Sequence, residues 1–342
     1  MTKYKYMQNR VFFVAQKKEI NSRVKQHQEE IRAIKKEISK IVVGQEDVIT
    51  KVLRAVVSDG HVLLEGVPGT AKTLMVRAIS QVTGCKFNRI QFTVDLLPTD
   101  ILGITSFERE RGFFVVKGPI FSNFILADEI NRAPPKVQSA LLECMQERQV
   151  TIGKETFPLD LPFIVLATQN PLESLGVYPL PEAQLDRFIF KIKVNYPNTE
   201  EERMILDRNI NLHHFDSYGL KTVVSPDAIL EMQNDVKEIY ISKEIEDYIV
   251  KLIDATRNPA KYNISLGNYI EAGASPRASI GLFIASKAEA MMKGKLFVTP
   301  HNIKEVAYDV LRHRIILKYE GYAEGISSDN VIAEILSKVP VP

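Results

Sequence analysis

Residues His61 to Leu74 constrain the fold more than any other stretch, because an apolar run of strand character passes into a Gly-rich turn and then into Lys72-Thr73 at the start of a helix. Successive backbone N–H groups around Gly66, Val67, Pro68, Gly69, Thr70 and Ala71 can wrap an anion there. The positive end of the following helix faces the same point. Lys72 is spaced to reach the β- and γ-phosphates of a nucleotide, Thr73 to offer a hydroxyl to Mg²⁺, and Leu74 continues the helix. The general pattern places Gly before the lysine, whereas this chain has Ala71. Either Ala71 takes a left-handed conformation, at roughly 1–2 kcal/mol, or the loop relaxes there to negative φ.

Alternating β-like and helical stretches follow, the mark of a parallel sheet covered by helices. Five strands are expected: His61 to Glu65, Lys86 to Phe92, Phe124 to Asp128, Phe163 to Thr168 and Phe188 to Val194. The third and fourth are almost wholly apolar, as strands buried on both faces should be. Ligands bind such sheets at the carboxyl ends of strands. The third strand ends in Asp128-Glu129, suited to hold Mg²⁺ and to orient or deprotonate a water, with a solvated strand end as the alternative. The fourth ends in Asn170-Pro171, an amide able to meet a γ-phosphate or simply a turn.

Two hairpins interrupt the alternation, one from Ile104 to Val116 turning near Glu110 to Gly112, the other from Gln149 to Phe157 turning at Gly153-Lys154. Between them a helix runs from Pro134 to Glu147. Upstream, Lys17 to Lys40 reads as an amphipathic helix through Ile20, Val24, Ile31, Ile34 and Ile38. Val43 and Gly44 then precede a helix from Glu46 to Val57; their apolar wall suits an adenine ring or an ordinary turn. Arg187 directly follows Asp186, as a local ion pair or as a finger offered to a neighbouring subunit's phosphate. The sheet pattern stops near Tyr196, and helices are expected at 200–211, 226–239, 242–257, 276–293 and 300–311. Ser275-Pro276 caps one of them and puts Arg277 in its opening turn, against the helix dipole at a cost of roughly 0.3–1 kcal/mol. A phosphate contact or a solvated guanidinium would each account for it.

Charge excludes little and suggests no polyanion partner: 44 Lys plus Arg face 42 Asp plus Glu, a net +2 over 342 residues. Cys85 and Cys144 lack zinc-type spacing, and the six histidines, including His213-His214, form no ligand set. No apolar run reaches the length of a signal h-region or a membrane span, so the cytoplasm is the expected location.

Taken together, Gly66 to Thr73, Asp128-Glu-Ile-Asn-Arg-Ala-Pro-Pro-Lys136, Gln138 to Leu142, Met145-Gln-Glu147, Leu166-Ala-Thr-Gln-Asn-Pro171 and Leu180-Pro-Glu-Ala-Gln-Leu-Asp-Arg-Phe188 resemble the MoxR family of AAA+ ATPases. Gly273 to Arg277 and Phe297 to Pro300 resemble its lid, and Ala before the lysine is shared with that family. The resemblance implies an α/β P-loop NTPase core, a five-stranded parallel sheet with hairpin insertions, over residues 38–197, then a linker and an all-α lid over 198–342. Residues 1–37 form a helical extension onto which nothing is carried. It implies ATP and Mg²⁺, with Lys72 and Thr73 as Walker A contacts, Asp128 as the magnesium residue, Glu129 as the base and Asn170 as first sensor. Arg187 becomes the arginine finger and Arg277 the second sensor. The hairpins resemble elements that face a substrate pore or partners in related rings. The implied function is an ATP-hydrolysing, hexameric chaperone-like ring subunit acting on a partner protein, often one with a von Willebrand factor A domain. A nucleic-acid motor or loader, and a nucleotide-gated scaffold with little turnover, are the rival readings.

Overall fold

The computed structural model describes residues 2–110, 112–171, 176–209 and 215–342; the side chains of 2–18, 208–209 and 216 are not part of that description. Arg111 in the first hairpin's turn, the His213-His214 pair and the expected helix end at Asn211 therefore lie outside the described residues.

Helices α1 (Thr2–Ile38) and α2 (Glu46–Val57) lead into β1 (Val62–Gly66), α3 (Lys72–Val82) and β2 (Phe87–Gln91). A five-residue α4 (Pro98–Leu102) precedes the hairpin β3 (Gly103–Glu108) and β4 (Gly112–Lys117). Next come β5 (Phe124–Asp128), α5 (Pro135–Glu147), the hairpin β6 (Gln149–Ile152) and β7 (Glu155–Pro158), and β8 (Ile164–Gln169). A short α6 (Glu182–Leu185), β9 (Phe190–Val194) and α7 (Thr199–Asn209) close this part. The remainder comprises α8 (Pro226–Glu238), α9 (Lys243–Arg257), β10 (Ile270–Ala272), α10 (Pro276–Met292), α11 (Pro300–Leu311), β11 (Ile316–Leu317), α12 (Tyr319–Ala323) and α13 (Ser328–Lys338).

The five long strands form one parallel sheet in the order β2-β5-β8-β1-β9, matching the expected set to within two residues at each end. β5 and β8 are buried along their length except for a last, partly exposed residue, which explains both their apolar runs and the polar ends they present. Alternate residues feed two cores. Leu64, Leu126, Leu166 and Ile192 face α1, α2, α3 and the lid helices, while Leu63, Ile125, Val165 and Ala167 face α5 and the hairpins. The first core runs without a break into the lid through Leu282, Ile303 and Val310.

Three lid helices begin with one device, a hydroxyl residue followed by Pro: Ser225-Pro226, Ser275-Pro276 and Thr299-Pro300. Ser225 and Ser275 accept backbone N–H bonds from Ala228 and Arg277, and Pro fills a first helical position that needs no donor. The structure departs from the sequence reading in three places. α1 is one helix from Thr2, longer than the stretch from Lys17, and Val24, Ile31, Ile34 and Ile38 enter the first core. The lid is not wholly helical, since β10 and β11 pair antiparallel; two or three residues are too few to leave a period-2 signal. α13 lies beyond the last helix expected from periodicity, yet its Val331, Ile332 and Ile335 are fully buried.

Candidate functional site

The crevice at the carboxyl ends of β1, β5 and β8 is a cavity of about 460 Å³ lined by Gly66, Pro68 to Leu74, Arg89, Asp128, Glu129, Thr168, Gln169 and Asn170. Its floor is the turn between β1 and α3. A Cβ at Gly66 would come within 2.4 Å of the Val194 carbonyl, so the β1–β9 pairing itself demands glycine there. Gly69 has φ 82° and Ala71 φ 57°, ψ 22°, with Thr70 between them at negative φ. This alternation is an anion nest, and it resolves the alternatives for Ala71 in favour of the left-handed position. Thr70 Oγ1 donates to the Val67 carbonyl at 3.0 Å and braces the turn.

Lys72 opens α3 and folds its ammonium back onto the Gly66 and Val67 carbonyls, at 2.8 and 2.7 Å. Burial lowers its pKa, while the Asp128 and Glu129 charges work in the opposite direction. Thr73 stands beside it on the cavity wall.

The two carboxylates are organised by one hydroxyl. Thr168, 2% exposed, donates to Asp128 Oδ1 at 2.6 Å and accepts the Glu129 backbone N–H at 2.8 Å. The other Asp128 oxygen accepts from Arg89 Nε and Nη2, at 2.9 and 2.7 Å. Glu129 sits in the left-handed region at φ 57°, ψ 49°, which turns its side chain out of the line of β5. Its Oε2 accepts from Gln91 Nε2 at 2.7 Å and lies 3.1 Å from Arg132 Nε. Behind this turn the fully buried Gln138 donates to the Ile130, Ala133 and Tyr178 carbonyls and fixes the short 3-10 segment Ile130–Arg132.

Val43 and Gly44 line a separate cavity of about 400 Å³ with Asn195, Tyr196, Glu201 and Met204. The Glu201 side chain closes over Gly44, where an added Cβ would meet it at 2.7 Å. Arg187 and Arg277 are not brought to the phosphate crevice. They line a third cavity, about 590 Å³, which shares no residue with the first. Arg187 Nη1 donates to the Leu142 carbonyl at 2.9 Å, and its buried Nε has no hydrogen-bond partner among the described residues. Arg277, 48% exposed, lies 3.8 Å from Asp186.

Arg89, Gln91 and Thr168 were not among the residues expected from sequence. Arg89 and Gln91 were visible as polar residues of a half-exposed strand, but their carboxylate partners come from the neighbouring β5, in register with Gln91 at Asp128. Thr168 closes an apolar run and carries no local signal at all. Among the described residues no group of three or more His, Cys, Asp or Glu could hold a metal by itself, and no helix is long and apolar enough to cross a membrane.

Residues 61–190 match the family described as "ATPase family associated with various cellular activities (AAA)", and 267–335 match the "AAA lid domain". Chaperone MoxR1 of Mycobacterium tuberculosis is 47% identical over 308 residues, covering 90% of this chain and 81% of that one. The uncharacterized protein YeaC of Bacillus subtilis is 42% identical, covering 89% and 92%. Protein MoxR of Paracoccus denitrificans is 31% identical, covering 88% and 93%. A crystal structure of a Cytophaga hutchinsonii protein, described as a candidate ATPase, aligns with a TM-score of 0.89 at 49% identity, over 96% of this chain and 99% of that one.

Proposed function

Because this chain belongs to the MoxR family of AAA+ ATPases, we propose that it hydrolyses Mg·ATP as a subunit of a homo-oligomeric, hexameric ring and uses the cycle to remodel or mature a partner protein. The observation that carries the ATPase reading is the single crevice in which Lys72, Thr73, Asp128, Glu129 and Asn170 converge from three strand ends.

The cradle fits a polyphosphate: alternating φ signs at Gly69, Thr70 and Ala71 point backbone N–H groups at one locus, and an added Cβ at Gly69 would meet nothing within 4 Å. Lys72 supplies a mobile positive charge, held in reserve by two carbonyls. The Thr73 hydroxyl and Asp128 carboxylate are the hard oxygen donors Mg²⁺ takes, and the ion, when bound, would neutralise charge on the phosphoryl oxygens. Glu129 takes the proton from the attacking water. Its contacts to Gln91 and Arg132 among the described residues fall on Oε2, so we assign proton acceptance to Oε1. Asn170 aligns that water or the γ-phosphate from the end of β8. In this reading Val43 and Gly44, in their separate cavity, are assigned to the base side of the nucleotide, with Glu201 having to move off Gly44 to admit it.

Arg187 and Arg277, which line a cavity apart from their own crevice, act in this reading on the nucleotide of an adjacent subunit. Partner contact falls to the β3–β4 hairpin. Its cross-strand Phe107 and Phe113 rings pack 5.0 Å apart while staying 60% and 79% exposed, which leaves an apolar surface facing solvent. A von Willebrand factor A domain in that partner is the finer proposal.

Glu129→Gln tests the centre of this reading. Steady-state phosphate release should fall about 100-fold or more while ATP binding persists. Unchanged turnover would remove Glu129 from the chemistry, and retention of a partner by the ATP-locked variant would identify the client.

A further inference from the structure

Arg314 and Asp186 form a joint between lid and core whose position bears on both outward-facing arginines. Arg314 follows α11, is 7% exposed, and uses all three guanidinium nitrogens. Nε donates to Asp186 Oδ1 at 2.6 Å, and Nη2 to the Asp186 and Phe188 carbonyls at 3.1 and 2.8 Å. Nη1 donates to the Ile189 carbonyl at 3.1 Å and to that of Val310. The backbone is thus held on both sides of Arg187 by one lid side chain. Among the described residues the Arg187 guanidinium itself donates to the Leu142 carbonyl.

The other Asp186 oxygen reaches into the lid. Oδ2 accepts from Ser275 Oγ at 2.7 Å and stands 3.8 Å from Arg277 Nη1. Ser275 is the cap of α10, and its Oγ accepts the Arg277 N–H at 3.1 Å. One carboxylate therefore connects the backbone carrying Arg187 with the helix start carrying Arg277. Asp59, the other carboxylate lining this cavity, is engaged by Arg148 at 2.7 Å, so Asp186 is the carboxylate that offsets repulsion between Arg277 and Arg314.

We infer that Asp186 and Arg314 are positioning residues that set Arg187 and Arg277 as a rigid pair, so that lid and core present both guanidinium groups together to one phosphate. The inference rests on the reading that these arginines serve an adjacent subunit. Only a planar fork can serve four carbonyls and a carboxylate from one side chain; Lys at 314 would keep the charge and lose the fork.

The test measures steady-state phosphate release, and nucleotide affinity of the chain's own loop, for Asp186→Asn and Arg314→Lys, each alone and each mixed with Lys72→Ala chains. Alone, each variant should lose turnover roughly tenfold to a hundredfold, the scale of a small misplacement of a reacting group, with its own nucleotide affinity unchanged. Mixing should restore turnover, because Lys72→Ala subunits contribute correctly held arginines to the variants' intact loops. Wild-type turnover of the variants alone would overturn the inference. So would a loss that mixing does not restore, since that places the defect in the variant's own site or fold. Arg187→Ala mixed with Lys72→Ala separates the two levels. Restoration there but not for Asp186→Asn removes the positioning role only, whereas no restoration for Arg187→Ala removes the trans reading itself.

Discussion

Replacing Thr168 by Val deletes one hydroxyl while nearly conserving shape, and that hydroxyl holds both carboxylates of the crevice. It donates to Asp128 Oδ1 at 2.6 Å and accepts from the Glu129 N–H at 2.8 Å in a site 2% exposed to solvent. A hydrogen bond to a charged group is worth about 1.5–3 kcal/mol and a neutral one about 1 kcal/mol, so the fold should lose roughly 3 kcal/mol. A second effect falls on geometry. Glu129 is kept at φ 57° against a left-handed cost of about 1–2 kcal/mol, close to what the lost N–H bond contributed. Without Thr168 Oγ1 the residue relaxes and its carboxylate leaves the line of attack, costing about tenfold to a hundredfold in kcat. Urea unfolding followed by circular dichroism reads the first effect, and phosphate release under saturating ATP the second. Thr168→Ser keeps the hydroxyl and should keep most of both. Wild-type turnover in Thr168→Val would refute the argument, as would Thr168→Ser failing to the same extent, because the methyl group would then be responsible.

Two further outcomes follow from the geometry. Burial lowers the His61 pKa to about 4 from 6.5, and the ring stays neutral, accepting from Val165 N–H and donating to the Met145 carbonyl. Between those values the unfolded chain binds a proton that the folded one does not. The stabilisation is therefore complete above about pH 6.5 and is lost as pH falls toward 4, about 2 kcal/mol of it between pH 7 and 5. Urea midpoints across that range should drop for the wild type and drop less for His61→Gln; equal slopes would exclude His61 as the source. Ala71→Gly should raise stability by about 0.5–1 kcal/mol, read as a slightly higher urea midpoint, since relief of the left-handed strain exceeds the added freedom of the unfolded chain. A lower midpoint would contradict the backbone angle at Ala71.

What the sequence determined by itself was everything carried by local pattern. Apolar runs buried on two faces marked β5 and β8 almost to the residue, the Gly66 to Thr73 turn announced an anion nest, and Pro226, Pro276 and Pro300 marked the starts of three lid helices, the second with Ser275 as its cap. Asp128, Glu129 and Asn170 were legible because strand ends of a parallel sheet open onto one crevice wherever they fall in the chain. The tertiary structure alone decided the order β2-β5-β8-β1-β9, and with it which polar residues became partners. Gln91 and Arg89 meet Glu129 and Asp128 only because β2 lies in register beside β5, and Thr168 meets both because β8 lies on the other side. The same distance in sequence hid Arg314, which reaches Asp186 across 128 residues, and the separation of Arg187 and Arg277 from the crevice. Hydrogen-bond partners chosen by packing leave no periodicity in the chain, so only the folded arrangement shows them.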